Sequence, residues 1–157
     1  MLQLPAPMAL ADEQEWRLQT AYLVNIAKFV TWPDNTQDVR LCVGELSPLY
    51  GYADGLQNVD LADGRKLKVA GLEHGSGDCQ LVFLDQGLSE EEVASVRASA
   101  GPGVLLISNR SDAFQGGDAI QFFVRNLKLR IALNEEVIQK AEYKLSSKLM
   151  RLARKLN

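Results

Sequence analysis

Two short apolar runs with a helix between them constrain the fold of this chain more than any other feature. The first run, Gln80 to Asp85, precedes a helix start at Ser89, where Glu92 completes a capping box. Beyond that helix, Gly101 to Gly103 lead into the second run, Val104 to Ser108. A strand, a helix and a strand at this spacing predict a βαβ unit, whose two strands are parallel. We therefore expect a parallel sheet.

The other β-rich segments extend this sheet and add a hairpin at its end. Two further strands are predicted, Val39 to Gly44 and Leu67 to Leu72, with a short helix between them at Leu49 to Asn58. Ala119 to Arg125 and Leu127 to Leu133 alternate apolar and polar residues around Asn126, which tolerates a positive φ, so they predict an antiparallel hairpin. Their expected inward residues are Ile120, Phe122, Val124, Leu129, Ile131 and Leu133.

The fold class follows from these segments and the length of the chain. With 157 residues the chain fits one domain. We predict a single α/β domain with a mostly parallel central sheet, a C-terminal antiparallel hairpin and helices on both faces. No run approaches the roughly 20 apolar residues of a transmembrane helix, so the chain is not expected to span a membrane.

The segment Trp16 to Pro33 predicts an amphipathic first helix that the Trp32-Pro33 pair ends. Its apolar stripe consists of Trp16, Thr20, Leu23, Val24, Ile26, Ala27 and Val30. A second set lies largely off this stripe: Tyr22, Asn25, Lys28, Phe29 and Trp32. These residues either cover the edge of the core or form a surface that binds a partner, since large rings with polar tips suit interfaces.

Charge is distributed unevenly along the chain. Lys140 to Asn157 carries a net charge of +5, and the rest carries −8, which argues against a nucleic-acid binder. The basic segment is either a solvated helix face or a contact for an acidic partner or lipid headgroups. Its stripe from Ile138 to Leu156 predicts one long helix by periodicity alone, although Ser146-Ser147 offers a cap for a second one.

The first eleven residues end in Ala9-Leu10-Ala11, a small-x-small pattern like a signal-peptidase site. We interpret residues 1–11, which otherwise predict no regular structure, as the remnant of a signal peptide, and residues 12–157 as the domain. Cys42 and Cys79 fit one disulfide in an oxidising compartment, or two buried thiols. The lone histidine, His74, lies in a glycine-rich loop and is expected to be solvated.

Common phosphate-binding, zinc and hydrolase motifs are absent from the sequence, so we predict no catalytic residue, no cofactor and no metal site. The loop acids Asp85, Asp112 and Asp118 carry no informative spacing. A ligand cleft is nevertheless expected at the carboxyl ends of the parallel strands. There Arg110 can meet a carboxylate or phosphate, or lie exposed in a loop.

Four stretches of the chain resemble the YfiR-like family of periplasmic regulators. They are AYLVNIAKFVTWP (Ala21 to Pro33), VRLCVGE (Val39 to Glu45), CQLVFLD (Cys79 to Asp85), and LRIALN with KLSSKLMRLA (Leu129 to Asn134 and Lys144 to Ala153). The resemblance covers nearly the whole chain after residue 15. It implies a periplasmic, dimeric, non-catalytic α/β domain that binds the sensor region of an inner-membrane diguanylate cyclase and represses it, which lowers cyclic di-GMP.

The resemblance also bears on particular residues. Cys42 and Cys79 fall at family positions that can carry a cysteine, and we predict a disulfide between them. Relatives often carry further cysteines where this chain has Ala113 and Ala119, and a glycine near Glu142 that breaks the terminal helix. If that break is present here, Ser146 caps the last helix and approaches Thr31 and Trp32 to form a small groove.

Two functions follow from the sequence. In the first, the protein is a non-enzymatic regulator whose aromatic helix flank or basic terminal segment contacts a cyclase, and alanine at Phe29 and Trp32 weakens binding without unfolding the protein. In the second, it is a small-molecule sensor that binds its ligand beside Arg110 or in the groove of Thr31 and Ser146.

Overall fold

The computed structural model describes the backbone of residues 6–33, 38–72 and 78–156, and the side chains of residues 13–33, 38–62, 64–72 and 78–153. His74 lies outside this part of the chain. The helices are α1 (Ala6–Lys28), α2 (Pro48–Asp54), α3 (Glu90–Ser99), α4 (Glu135–Lys140) and α5 (Ser147–Leu156). The strands are β1 (Val30–Thr31), β2 (Val39–Val43), β3 (Leu67–Gly71), β4 (Leu81–Leu84), β5 (Leu105–Ser108), β6 (Ile120–Arg125), β7 (Lys128–Leu133) and β8 (Lys144–Leu145).

Six of these strands form the central sheet in the order β3-β2-β4-β5-β6-β7. All neighbours are parallel except β6 and β7, which form the antiparallel hairpin. Leu81 and Phe83 pack with α1, α2 and α5, whereas Val82 and Leu84 pack with α3 on the other face. This alternation arises because successive strand residues point to opposite faces. The predicted fold class, with helices on both faces, is confirmed.

The βαβ unit has the predicted cap. The Ser89 side chain accepts a hydrogen bond from the backbone N–H of Glu92, and the Glu92 carboxylate accepts one from the backbone N–H of Ser89. Helix α2 is shorter than expected, ending at Asp54 rather than Asn58. Beyond Asp54 the N–H groups of Leu56 and Gln57 donate to the carbonyls three residues earlier, and Asn58 has a φ of 67°, so the α-helical hydrogen bonding does not continue.

The hairpin turns through two residues rather than one. Asn126 and Leu127 have φ values of 53° and 65°, and β7 begins at Lys128. Of the expected inward residues, Ile120, Phe122, Leu129 and Ile131 are buried and Leu133 is half-buried. Val124 is 50% exposed, contrary to the prediction, because β5 pairs with β6 only as far as Gln121 and no strand flanks Val124 on that side.

Helix α1 begins and ends earlier than the sequence indicated. Its backbone is helical from Ala6, within the segment expected to lack regular structure, and its last residue is Lys28. Thr20, Leu23 and Ala27 of the predicted stripe are buried. The expected end at Trp32-Pro33 is wrong, because Val30–Thr31 leaves the helix to pair antiparallel with Lys144–Leu145.

The single long terminal helix is also wrong, and the alternative with a cap at Ser146 is confirmed. After α4 the backbone of Ala141 is extended, and the Glu142 N–H donates to the Pro102 carbonyl at 2.9 Å. Strand β8 follows. The Ser146 hydroxyl then accepts from the Leu149 N–H at 3.1 Å, and the Ser146 carbonyl accepts from the Met150 N–H, so Ser146 caps α5.

Cys42 and Cys79 form a disulfide, as predicted, with a Cα–Cα distance of 6.0 Å. The bond joins β2 to the residues that precede β4, and both cysteines are buried against α3. In the chain-entropy model, a loop of 37 residues corresponds to a stabilisation of about 4 kcal/mol.

Tyr143 provides a pH-dependent test of the packing between α4 and β8. The side chain is buried, and its burial raises the pKa of Tyr143 to about 12. Because the folded pKa exceeds that of the unfolded chain, stability is unaffected below pH 10 and falls as the pH rises from 10 towards 12. At pH 11 we expect the free energy of unfolding to be about 1 kcal/mol lower than at pH 8 because of Tyr143.

Urea unfolding of the wild type and Tyr143→Phe at both pH values measures this cost. The substitution leaves the other tyrosines in place, so the loss at pH 11 should be smaller by about that amount in the variant. An equal loss in both proteins would show that Tyr143 ionises as freely in the fold as in water.

Candidate interaction surface and ligand cleft

The two-stranded ribbon of β1 and β8 brings the end of the first helix beside the start of the last one. Thr31 pairs with Lys144, and Val30 pairs with Leu145. The ribbon continues one bond further, since the Ser146 N–H donates to the Phe29 carbonyl at 2.9 Å. Residues that are far apart in the sequence thereby share one surface.

Phe29 lies at the centre of this surface. Its ring is half-buried, and the Lys148 ammonium of α5 lies 5.0 Å from the ring centroid, within the range of a cation–π contact. We call Phe29 and the exposed cations Lys28, Lys144, Lys148 and Arg151 the basic patch. No ion pair involves these four cations among the side chains that the structure describes. The basic patch therefore presents uncompensated positive charge around an aromatic ring.

The five residues predicted to bind a partner divide between this surface and the core. Asn25 and Lys28 are exposed, and Phe29 belongs to the basic patch. Trp32 is only 3% exposed, and its indole N–H donates to the Gln80 carbonyl at 3.1 Å. Tyr22 is half-buried and packs edge-to-face on Phe122, with a ring separation of 5.8 Å. For Trp32 the prediction of a surface role is corrected, because its ring fills the core.

The predicted ligand residues lie at two separate places. Thr31 is exposed and Ser146 is half-buried on the ribbon, while the Trp32 ring packs into the core. Arg110 lies elsewhere, in a cleft of about 540 Å³ at the carboxyl ends of β4 and β5, close to where the sequence predicted one. The cleft is walled by Glu15, Gln19, Gln86, Glu90, Asn109, Arg110, Ser111, Asp112, Gln121, Phe122, Phe123, Val124 and Leu129.

Amide side chains tie the walls of this cleft together. The Asn109 amide N–H₂ donates to the Gln19 side-chain oxygen of α1 at 3.1 Å and to the Asp85 carboxylate at 3.3 Å. The Asn109 side-chain oxygen accepts from the Gln86 N–H at 2.8 Å, and the Gln121 amide donates to the Arg110 carbonyl at 2.9 Å. The contribution of Gln19 was not predicted, because a polar residue on a helix has no sequence signal that links it to a strand end.

Arg110 is buried and already has partners, contrary to the alternative of a loop arginine in solvent. Its guanidinium donates to the Glu90 carboxylate at 2.8 Å, to Asp112 at 3.3 Å, and to the carbonyls of Asp85 and Leu88 at 3.3 Å each. The Glu90 side chain is 85% exposed. An anionic ligand would therefore have to displace Glu90, which is more exposed than Asp112, the other carboxylate on Arg110.

An ion-pair network extends from Arg110 to the other side of the domain. Arg97 donates to both oxygens of Asp118, at 2.7 and 3.0 Å, and to both oxygens of Asp112, at 3.2 Å each. The hydrogen bond to Asp118 raises the pKa of Arg97, and the hydrogen bond from Arg97 lowers the pKa of Asp112. A Cβ on Gly116 would lie 2.2 Å from Arg97 Cζ, so a larger residue there would displace the guanidinium from this network. Asp112 and Asp118 thus have structural partners.

A second group of surface features lies between α1 and α2. Arg17, Tyr52, Asn25 and Leu56 line a shallow groove of about 440 Å³, and the Arg17 guanidinium lies 5.7 Å from the Tyr52 ring centroid. Within the described side chains, no group of three or more His, Cys, Asp or Glu residues is placed to hold a metal ion. None of the helices described is both long and apolar enough to cross a membrane.

The chain is thus a single α/β domain that carries a basic aromatic surface and a polar cleft. The family model described as YfiR/HmsC-like matches residues 17–154, so the chain belongs to the YfiR/HmsC-like family. YfiR-like proteins are regulatory and non-catalytic, and membership is consistent with periplasmic regulation of diguanylate cyclases. A search of curated proteins found no match to the chain.

Proposed function

We propose that the protein is a non-enzymatic periplasmic regulator that binds the sensor region of an inner-membrane diguanylate cyclase and holds it inactive. Family membership over residues 17–154 supports this function. In this proposal residues 1–11 are the end of an export signal, the mature domain acts as a homodimer, and its repression of the cyclase lowers cyclic di-GMP.

We place the contact with the cyclase on the basic patch. The observation that carries this placement is Lys148, held over the half-buried ring of Phe29 and without an ion pair to any side chain that the structure describes. A partly buried aromatic residue beside a cation is typical of residues that dominate interface energies. The matching surface on the partner is acidic, because the four cations of the basic patch attract negative charge and repel positive charge.

The double variant Phe29→Ala/Lys148→Glu tests this placement. We expect its affinity for the purified sensor region of the cyclase to fall at least tenfold, because the ring is removed and one cation is reversed. Isothermal titration calorimetry measures the affinity, and thermal unfolding verifies that the variant is folded. Arg17→Glu is the matched control, since it reverses a cation on an aromatic ring at the α1–α2 groove.

Two outcomes would count against the proposal in different ways. Unchanged affinity in the folded double variant would remove the basic patch from the contact while leaving regulation intact. If affinity capture of the tagged protein from crosslinked cells recovered no membrane cyclase, regulation itself would be overturned. The cellular level of cyclic di-GMP, which should be higher in a strain that lacks the protein than in the wild type, provides an independent measurement.

The cleft beside Arg110 supports a second candidate function, a periplasmic sensor of a small polar molecule. Its volume of about 540 Å³ suits a small ligand, and its walls offer the amides of Gln19, Asn109 and Gln121. A thermal-shift screen of polar metabolites tests it. A hit that loses its effect in Gln121→Leu would support the sensor function, and the absence of any hit would count against it.

A further inference from the structure

The tip of the β6–β7 hairpin has a leucine where the backbone favours a glycine. A two-residue turn with positive φ at both positions is a type I′ turn, for which Asn-Gly is the preferred sequence. Here Asn126 is followed by Leu127, whose φ is 65°. The Leu127 side chain is 98% exposed, so no contact within the described chain offsets the unfavourable backbone conformation.

The residues that flank the turn are also unfavourable for an isolated hairpin. Arg125 and Lys128 are directly opposite each other across the two strands, and both are exposed. Like charges in directly opposed positions destabilise a hairpin. Two choices that oppose folding therefore coincide at one turn, leucine at a positive φ and the opposed cations, and such departures from local rules are expected at functional sites.

The apolar surface at the tip extends beyond Leu127. Val124, the residue before Arg125, is 50% exposed, and the Arg125 guanidinium lies 5.2 Å from the Phe123 ring centroid. The tip thus has one exposed leucine in its two-residue turn, and the cations Arg125 and Lys128 immediately flank that turn. We call Val124 to Lys128 the hairpin tip.

The hairpin tip and the basic patch lie at opposite ends of the sheet. The hairpin tip follows β6, which is parallel to β5 and ends at the same edge. Trp32, beside the basic patch, bonds to Gln80, which immediately precedes β4 at the other edge. The domain can therefore contact two different surfaces at once.

We propose that the hairpin tip is a contact for an anionic lipid bilayer, with Leu127 inserted among the upper acyl groups and Arg125 and Lys128 on the headgroup phosphates. The layered order of the tip, apolar at the apex and cationic just behind it, matches the order of layers at a membrane surface. The tip is convex and offers one fully exposed leucine, so it needs no preformed pocket in a partner. This inference does not depend on the identity of the regulated protein.

One leucine and two cations give weak binding by themselves. Simultaneous binding of a membrane-embedded partner at the other edge would reinforce it, because the second contact becomes intramolecular. The consequence would be a fixed orientation of the domain on the membrane, with the basic patch directed away from the surface.

The variant Leu127→Gly separates a binding role from a structural one. We expect it to bind vesicles of phosphatidylcholine with 30% phosphatidylglycerol about tenfold more weakly than the wild type, because the inserted side chain is removed. We also expect its thermal midpoint to rise by about 2–4 °C, since glycine adopts the positive φ without strain. Cosedimentation measures the binding. Leu46→Ser is the matched control, because Leu46 is equally exposed on a different loop.

The double variant Arg125→Gln/Lys128→Gln tests the charges. It should bind the anionic vesicles more weakly and lose most of the salt dependence that the wild type shows. No detectable vesicle binding by the wild type, equal binding to pure phosphatidylcholine, or unchanged binding of Leu127→Gly would each overturn the proposal. If Leu127→Gly weakened binding to the purified sensor region and left vesicle binding unchanged, the tip would be assigned to a protein partner. These assays use lipid without cyclase, so their failure leaves the proposed regulation standing.

Discussion

Replacing Trp32 with alanine is expected to lower the free energy of unfolding by about 3–5 kcal/mol. The ring is 3% exposed and packs within the core formed by α1, α5 and the sheet. Removing it leaves a cavity and removes one of the two donors to the Gln80 carbonyl, the indole N–H at 3.1 Å, while the Leu105 N–H at 2.9 Å remains. This effect is large enough to unfold a domain of marginal stability.

Urea unfolding of Trp32→Ala and Phe29→Ala side by side measures the difference. Phe29 is half-buried at the surface, so its truncation should cost clearly less than that of Trp32. The combined alanine variant at both positions would therefore test folding rather than recognition, which corrects our expectation from the sequence. A stability loss below about 1 kcal/mol in Trp32→Ala would show that the ring is not a core residue.

The fold was predictable because its elements are specified locally. The apolar runs of β4 and β5 are short and bounded by turn residues, and Ser89 with Glu92 marks a helix start. The hairpin was found from alternation and from Asn126. These signals depend on residues within a few positions of one another, so they can be read without knowing the tertiary contacts.

The elements that were predicted wrongly depend on contacts between distant segments. The apolar periodicity after Glu135 predicted one helix, since no glycine or proline interrupts that segment. The break at Ala141 occurs because Lys144–Leu145 pairs with Val30–Thr31, and the same pairing ends α1 before Trp32. One long-range ribbon thus accounts for the error at the end of α1 and for the error in the terminal helix.

The candidate surface was only half predictable for the same reason. The sequence indicated an aromatic flank on α1 and, separately, a basic terminal segment. Their combination in one basic patch requires the ribbon that places Lys148 on Phe29. The inward direction of Trp32 could not be predicted, because three aromatic residues spaced along a helix end are compatible with both a core edge and an interface.

The loop acids show a similar limit. Asp112 and Asp118 follow no motif, yet the Asp118 side chain is fully buried and both carboxylates bind Arg97. Their spacing in the sequence carried no information, since neither carboxylate reveals its partner on α3. Their pairing nevertheless leads to one of the largest effects that we expect from a single substitution.

Replacing Arg97 with methionine is expected to lower the free energy of unfolding by about 3–5 kcal/mol, because it leaves the carboxylate of Asp118 buried without a counter-charge. Arg97 itself is largely buried, with 14% of its side chain exposed, and it makes four hydrogen bonds to the two carboxylates. Replacing both partners, as Arg97→Met/Asp118→Leu, should recover much of the loss, since a buried ion pair and an apolar pair of similar volume differ little in stability. The exposed pair Lys140–Glu136 is the matched control, and Lys140→Met should cost at most about 1 kcal/mol.

Acid unfolding distinguishes this ion-pair network from simple packing. Because Arg97 holds the pKa of Asp112 below its ordinary value, the stability that this carboxylate contributes is present above about pH 4 and is lost as the pH falls through the lower folded pKa. Asp112 is partly exposed, so the contribution is modest, and Arg97→Met should remove it. The wild type should therefore lose more stability than Arg97→Met between pH 5 and pH 3, as measured by urea unfolding at each pH. Parallel losses in the two proteins would show that the ions do not stabilise the fold and that Arg97 matters only for the space it fills.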